Sequence, residues 1–286
     1  MTLLITCVLF FVLVGLYYAQ RYQEVKTASF EQTAKQALHQ LTYSEREYSN
    51  MRDQLSSIMD LLGHSQSLIS YARFPTESSR TVLEEVWKSV LVNQKWYTKI
   101  RVLDLEGKET VRLDYSTQSR IVTLPDELAD RSAFDYFKYA QTLESEEIGS
   151  WGIELERGSD EKVSYPYTPI LRVLTPIVDE GTKLGYLVIN VDVMGLASRL
   201  SYSPDLDFRV EAVNKDGFYI SSYNKSKLYG DVIPERKSYN LANLAPDLWE
   251  SLALERSGYV FEDDNLFAFN TVNLSRHESV YLLVQM

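Results

Sequence analysis

The chain has 286 residues and a formal charge of −11, from 29 Lys and Arg against 40 Asp and Glu. That acidic balance excludes a nucleic-acid partner, which needs a basic face. An apolar share of 45% suits a folded protein of one or two domains, and the single cysteine, Cys7, excludes an internal disulfide and any thiolate metal cluster.

Residues 2–19 carry no charge, and the first charged residue is Arg21. As a helix they cover roughly 27 Å, close to the hydrocarbon core of a bilayer. Tyr17 and Tyr18 fall where an interfacial aromatic belt sits. A cleaved signal peptide has a basic start and a small-residue cleavage site. Neither is present, so residues 1–20 read as a retained transmembrane helix.

From Phe30, apolar or small residues recur at alternating steps of four and three: Ala34, Ala37, Leu41, Ser44, Tyr48, Met51, Leu55, Ile58, Leu62, Ser65 and Ile69. This 3.5-residue repeat marks a coiled-coil seam and predicts one long helix over 21–72, with Gly63 its weak point. The stripe also fits a helix lying along its own domain, and the two uses are compatible. Pro75 stops the helix, and residues 76–94 restart one with Thr76 as N-cap.

Beyond Trp96 the period becomes strand-like. Residues 97–115 read as a hairpin with Gly107 in its turn. Residues 126–143 read as a helix and 148–157 as a strand. Residues 165–178, "YPYTPILRVLTPIV", and 184–193 read as two more strands joined by a turn at Gly181. A polar connector at 198–206 leads to a smaller copy of the plan: a hairpin over 208–222 with an "NKDG" turn, a helix near 245–255, and three strands to the end. Long helix, hairpin, helix and antiparallel strands define an α+β class rather than a parallel α/β sheet. The domains predicted are a membrane helix over 1–20, the long helix over 21–72, a larger domain over 73–200 and a smaller one over 201–286. The chain ends inside its last apolar strand, which predicts a fragment or a protein that has lost its output half.

Catalytic arrangements are weak. His39, His64 and His277 have no ligand-like spacing, and no nucleophile elbow or phosphate-binding glycine loop occurs. No cofactor, metal or enzyme activity is expected of this chain.

A binding pocket is better supported. Strand alternation puts Arg172 on one face with Ile170 and Leu174, where a lone guanidinium is costly without a carboxylate, a wet cavity or an anionic ligand. Arg101 and Asn190 also lie mid-strand, near a helix that carries Tyr136 and Phe137. Convergent polar groups between aromatic walls suit a small-ligand cavity. Two readings stay open: such a pocket, or an internal ion pair of Arg172 with Glu154 or Asp192 beside an edge pair of Glu109 with Arg112.

Several stretches together resemble the double-Cache extracytoplasmic sensor region of bacterial histidine kinases, diguanylate cyclases and chemoreceptors. "IRVLDLEGKETVRLD" (100–114) resembles the family's I-R-x-x-D-x-x-G-x-E-x-x-R hairpin, and "RSAFDYF" (131–137) its helix start. "PYTPILRVLTPIVDEGTKLGYLVIN" (166–190) resembles P-x-x-P-x-x-R-x-x-T-P followed by G-x-L-x-x-N. The resemblance covers residues 97–192; the second domain matches by layout alone. It implies tandem PAS-like sheets and a small ligand in the larger, membrane-distal domain. The candidate ligand residues are Arg172, Tyr136, Arg131, Phe134, Trp151, Arg101, Asn190 and Glu154. The amino-acid-binding subgroup's R-x-W-Y motif and late aspartate fall by position on Phe134, Tyr136, Phe137 and Asn190, so its Arg and Asp are missing. A polar or anionic metabolite is therefore expected rather than a free α-amino acid. The resemblance further implies a homodimer through the long helix, a place in the bacterial inner membrane with residues from about 21 onward in the periplasm, and a kinase, cyclase or chemoreceptor output downstream. The alternative function is a module that reads a periplasmic partner protein without a small ligand.

Overall fold

The computed structural model describes residues 2–157, 162–163, 165, 167–194, 208–262, 265–273 and 279–286, with side chains described from Phe10 onward except Phe11. The predicted connector at 198–206 and His277 lie outside the described residues.

The N-terminal apolar run and the striped helix form one helix, α1 (Thr2–Gly63), about 93 Å long. No described helix is long and apolar enough to cross a membrane, so the span expected at 2–19 is not shown. Phe10, Val12, Leu13, Leu16, Tyr17 and Tyr18 are all exposed on this helix.

The predicted stripe is buried from Ala34 to Leu62, except that Met59 goes in and Ile58 is only half-buried. Its partners are the two sheets of the same chain: these residues share one core with both sheets. The face expected as a dimer seam is thus consumed by intrachain packing, because both sheets present apolar faces to the same side of α1. The helix predicted through residue 72 also ends earlier. Ser65 accepts the Leu68 N–H at 3.4 Å and starts a separate helix, α2 (Gln66–Arg73). Arg73 of α2 is ion-paired with Asp179. α3 (Glu77–Gln94) opens with the expected Thr76 cap, in a reciprocal capping box with Ser79.

The first sheet comprises β1 (Tyr97–Leu103), β2 (Glu109–Tyr115), β3 (Val122–Thr123), β4 (Gly149–Leu155), β5 (Pro169–Asp179) and β6 (Thr182–Asp192). Its order is β3-β2-β1-β6-β5-β4, all antiparallel. One face, with Ile100, Leu113, Leu171, Val173 and Ile189, packs on α1, α2 and α3. The helix predicted over 126–143 shrinks to α4 (Asp135–Gln141). Residues before it cannot be helical, because their backbone is tied to the hairpin: Glu109 N–H donates to Ala129 O at 3.0 Å, and Arg131 N–H to Gly107 O at 2.8 Å. Gly107 has φ +90°, and a Cβ there would meet the Phe137 ring at 2.8 Å, so only glycine fits this turn.

The second sheet comprises β7 (Val210–Asn214), β8 (Tyr219–Ser221), β9 (Ser257–Glu262), β10 (Asn265–Asn273) and β11 (Ser279–Gln285). Its order, β8-β7-β11-β10-β9, repeats that of the first sheet without β3. α5 (Leu241–Leu244) and α6 (Pro246–Leu254) cover the face opposite α1. Glu45 of α1 joins helix to sheet by accepting from Arg256 at 2.5 Å and from Asn270 Nδ2 at 2.8 Å.

Candidate functional site

The face of the first sheet turned away from α1 is polar where a core would be apolar. Lys99 and Arg101 of β1, Arg112 of β2, Arg172 of β5 and Asn190 of β6 are all buried, as are Glu109 and Arg131. Period-two alternation puts their side chains together, because the opposite set fills the α1 face. The register completes the grouping, with Arg172 opposite Asn190, Lys99 opposite Asn190, and Arg101 opposite Arg112.

Glu109 is the hub. Its carboxylate accepts from Arg101 Nη1 at 3.0 Å, Arg131 Nε at 3.0 Å, Arg112 Nη1 at 3.4 Å and the Ala129 N–H at 3.1 Å. Burial pushes its pKa up, but the three guanidinium groups and the backbone donor outweigh that and hold it at about 2. A second knot joins Glu156 to Lys99 Nζ at 3.0 Å and Asn190 Nδ2 at 2.7 Å. Burial again opposes ionisation, and Lys99, Arg101 and Arg172 hold the Glu156 carboxyl at about 2. Burial likewise lowers the Lys99 pKa against the pull of Glu156. Arg101 Nη2 donates to Asn190 Oδ1 at 2.7 Å and so links the two knots.

Arg172 donates to Glu154, whose other oxygen accepts from Trp151 Nε1 at 3.0 Å. Its guanidinium lies 4.6 Å from the Tyr136 ring centre, with that of Arg101 at 5.9 Å. Arg131 sits 5.3 Å from the Phe134 ring, which packs 5.8 Å from Tyr136. All eight predicted residues therefore meet on one face. The Arg172–Glu154 pair of the ion-pair reading is present as well. The Glu109–Arg112 pair is also present, at 3.4 Å, but it lies in the buried network rather than at an edge.

Lys99, Glu109, Arg112, Asp114 and Glu156 join the predicted set. Arg112 grips Asp114 at 2.8 and 2.5 Å. Their signal in the sequence was polar residues on alternate positions of the hairpin, but Glu156 follows β4 and had none. Among the described residues the network holds five cations (Lys99, Arg101, Arg112, Arg131, Arg172) against four carboxylates (Glu109, Asp114, Glu154, Glu156), leaving one positive charge. Three of its buried polar atoms make no hydrogen bond among the described residues: Arg101 Nε, Arg172 Nε and the Tyr136 hydroxyl. Such groups carry a desolvation penalty of about 1–3 kcal/mol each. These three atoms are hydrogen-bonding capacity that the described residues leave unused beside the Tyr136 ring.

Two antiparallel PAS-like sheets strung on one long helix, the first with a buried polar face, define the sensor modules of bacterial receptors. A family model for the bacterial histidine kinase sensor domain matches residues 31–284, and the chain belongs to that family. Among solved structures it is similar to the extracellular domain of a protein described as a histidine kinase, vpHK1S-Z8, at 47% identity and TM-score 0.84, covering 90% of this chain and 92% of that one. It is equally similar, at 47% identity and TM-score 0.84, to a domain of a sensory box/GGDEF family protein from Vibrio parahaemolyticus, covering 90% and 97%. The sensory domain of the Campylobacter jejuni chemoreceptor Tlp3, solved with isoleucine bound, shares the fold at 13% identity and TM-score 0.63, covering 90% and 94%. Among proteins of curated description, none matches the chain.

Proposed function

We propose that this sensor domain binds a small polar or anionic metabolite on the polar face of its first sheet, and that it is the extracytoplasmic part of a membrane-anchored receptor. The observation that carries the reading is the buried network with one excess positive charge and three unpaired polar atoms around Tyr136. A core built for stability alone would favour apolar residues over a half-satisfied network. Arg172 is the anchor: its Nη1 is held by Glu154 while its Nε has no partner among the described residues.

A free α-amino acid, as in the Campylobacter relative, fits less well. Asn190 stands where the amino-acid-binding subgroup has aspartate, so the negative charge that would pair an ammonium is absent, and its amide is held by Arg101 and Glu156. The anchor reading rests on the uncharged run at 2–19 and on the exposed apolar side chains of α1 from Phe10 to Tyr18, which water alone would not favour. In that reading residues 73–200 form the membrane-distal domain and 201–286 the proximal one. A homodimer along α1 would use the N-terminal third of the helix, since the stripe beyond it is already covered. Ligand binding shifts signalling only by favouring one of two packings of the sheet on the helix.

The test is a thermal-shift screen of the whole chain in detergent against carboxylates, amines and amino acids, repeated on Arg172→Ala. A carboxylate that raises the melting temperature of the parent but not of a folded Arg172→Ala variant supports the pocket. If no small molecule shifts the parent, the partner-protein reading, favoured by the existing Arg172–Glu154 pair, takes its place.

A further inference from the structure

The second sheet repeats the first position by position, and its face turned away from α1 carries a cavity. The β1–β2 turn is held by Asp104 Oδ1, which accepts the N–H groups of Glu106 and Lys108 at 3.0 and 2.8 Å. In the β7–β8 turn Asn214 Oδ1 accepts those of Asp216 and Phe218 at 3.1 and 2.9 Å. Gly107 and Gly217 have φ +90° and +87°, and each carbonyl accepts a backbone N–H at 2.8 Å, from Arg131 and from Leu241 respectively. With the turns aligned, ladder register assigns the rest. Arg101 corresponds to Glu211, because they pair with Val188 and Leu283, the matching positions on β6 and β11. Asn190 then corresponds to Gln285, Arg172 to Phe267, and Glu154 to Glu262.

These second-sheet counterparts surround a cavity of about 280 Å³, lined by Glu262, Phe267, Gln285 and Leu241, with Lys227 and Leu244 beside them. The volume is near the low end for small-molecule sites. Its chemistry differs from that of the first sheet. Phe267 and Leu241 stand where Arg172 and Arg131 stand, so apolar side chains replace two of the first sheet's cations in a lining of mixed polarity. The Glu262 carboxylate accepts the N–H groups of Asp247 and Leu248 at 3.2 and 3.1 Å and thereby caps α6. Among the described residues, Lys227 is the one cation lining the cavity. Its side chain is 14% exposed, and its ammonium lies 3.5 Å from Glu211 and faces the rings of Tyr219 and Tyr223 at 4.7 and 5.8 Å. An ammonium has three donors, and this one has a single long ion pair.

We propose that the second sheet carries its own ligand site, for a monocarboxylate with a short apolar body whose carboxylate is held by Lys227. The site does not depend on the reading of the first sheet. The probe is butyrate, titrated calorimetrically into the whole chain in detergent, with butylamine as control. Butyrate binding is expected in the parent and in Arg172→Ala alike. It is expected to weaken at least about tenfold in Lys227→Met, from the loss of one charge-assisted contact. It is expected to vanish in Leu244→Trp, which fills the cavity from its half-exposed rim and leaves Lys227 in place. If Lys227→Met fails to fold, Leu244→Trp decides alone. Absence of butyrate binding in the parent overturns the proposal, as does binding that survives both variants. Loss of binding in Arg172→Ala with Lys227→Met unaffected places the carboxylate on the first sheet, and preference for butylamine makes Glu262 the anchor; either result also overturns it.

Discussion

Glu109 shows why single residues in this network matter more than their number. One carboxylate holds three guanidinium groups, and all four side chains are buried. Replacing it leaves three buried cations with one acceptor fewer each, and removing one partner of a buried pair costs about 3–5 kcal/mol. Glu109→Gln is isosteric and is expected to lower stability by that order, read as a fall in the urea midpoint with an unchanged slope. Gln40 is the opposite case. It is fully buried in α1 and neither amide atom makes a hydrogen bond among the described residues. Gln40→Leu removes an unpaid desolvation of about 1–3 kcal/mol and is expected to raise the melting temperature. A fall instead would mean that the amide has a partner in solution.

At the scale of elements, Thr76 and the 126–134 segment mark the limits of pattern reading. The α3 cap was legible because a threonine before a helical run and its partner Ser79 are local neighbours. Thr76→Ala is expected to cost about 1 kcal/mol, measurable by chemical denaturation. Residues 126–134 carry a helical pattern as well, yet their backbone N–H and C=O groups are taken by the hairpin some 20 residues earlier in the chain. No local rule anticipates that competition. The same capture carries Arg131 into the site. The stripe of α1 is a third case: spacing located its buried face, but a 3.5-residue repeat looks the same whether its partner is a second helix or a sheet of the same chain.

For the whole molecule, pH tests the network as a unit. Glu109 and Glu156 both have folded-state pKa values of about 2, below the ordinary 4.5 of a glutamate. A depressed carboxylate pKa contributes stability that is present above the unfolded value and is lost as pH falls through the folded one. Stability is therefore expected to decline from about pH 4.5 towards pH 2, and Glu109→Gln is expected to flatten that decline. A parent midpoint unchanged between pH 5 and pH 3 would contradict the buried-carboxylate arrangement.

Taken by itself, the sequence determined the α+β class, the order of elements, the tandem plan and the face on which Arg172 lies. Each of these follows from periodicity, turn residues and caps acting within a few residues along the chain. Tertiary structure alone decided that Glu109 and Glu156 share that face, that α1 spends its stripe on two sheets, and that the second sheet has a cavity with Phe267 and Leu241 at the places of Arg172 and Arg131. Those outcomes depend on strand register and on which distant groups compete for one carboxylate or one backbone N–H. Neither is encoded in local spacing.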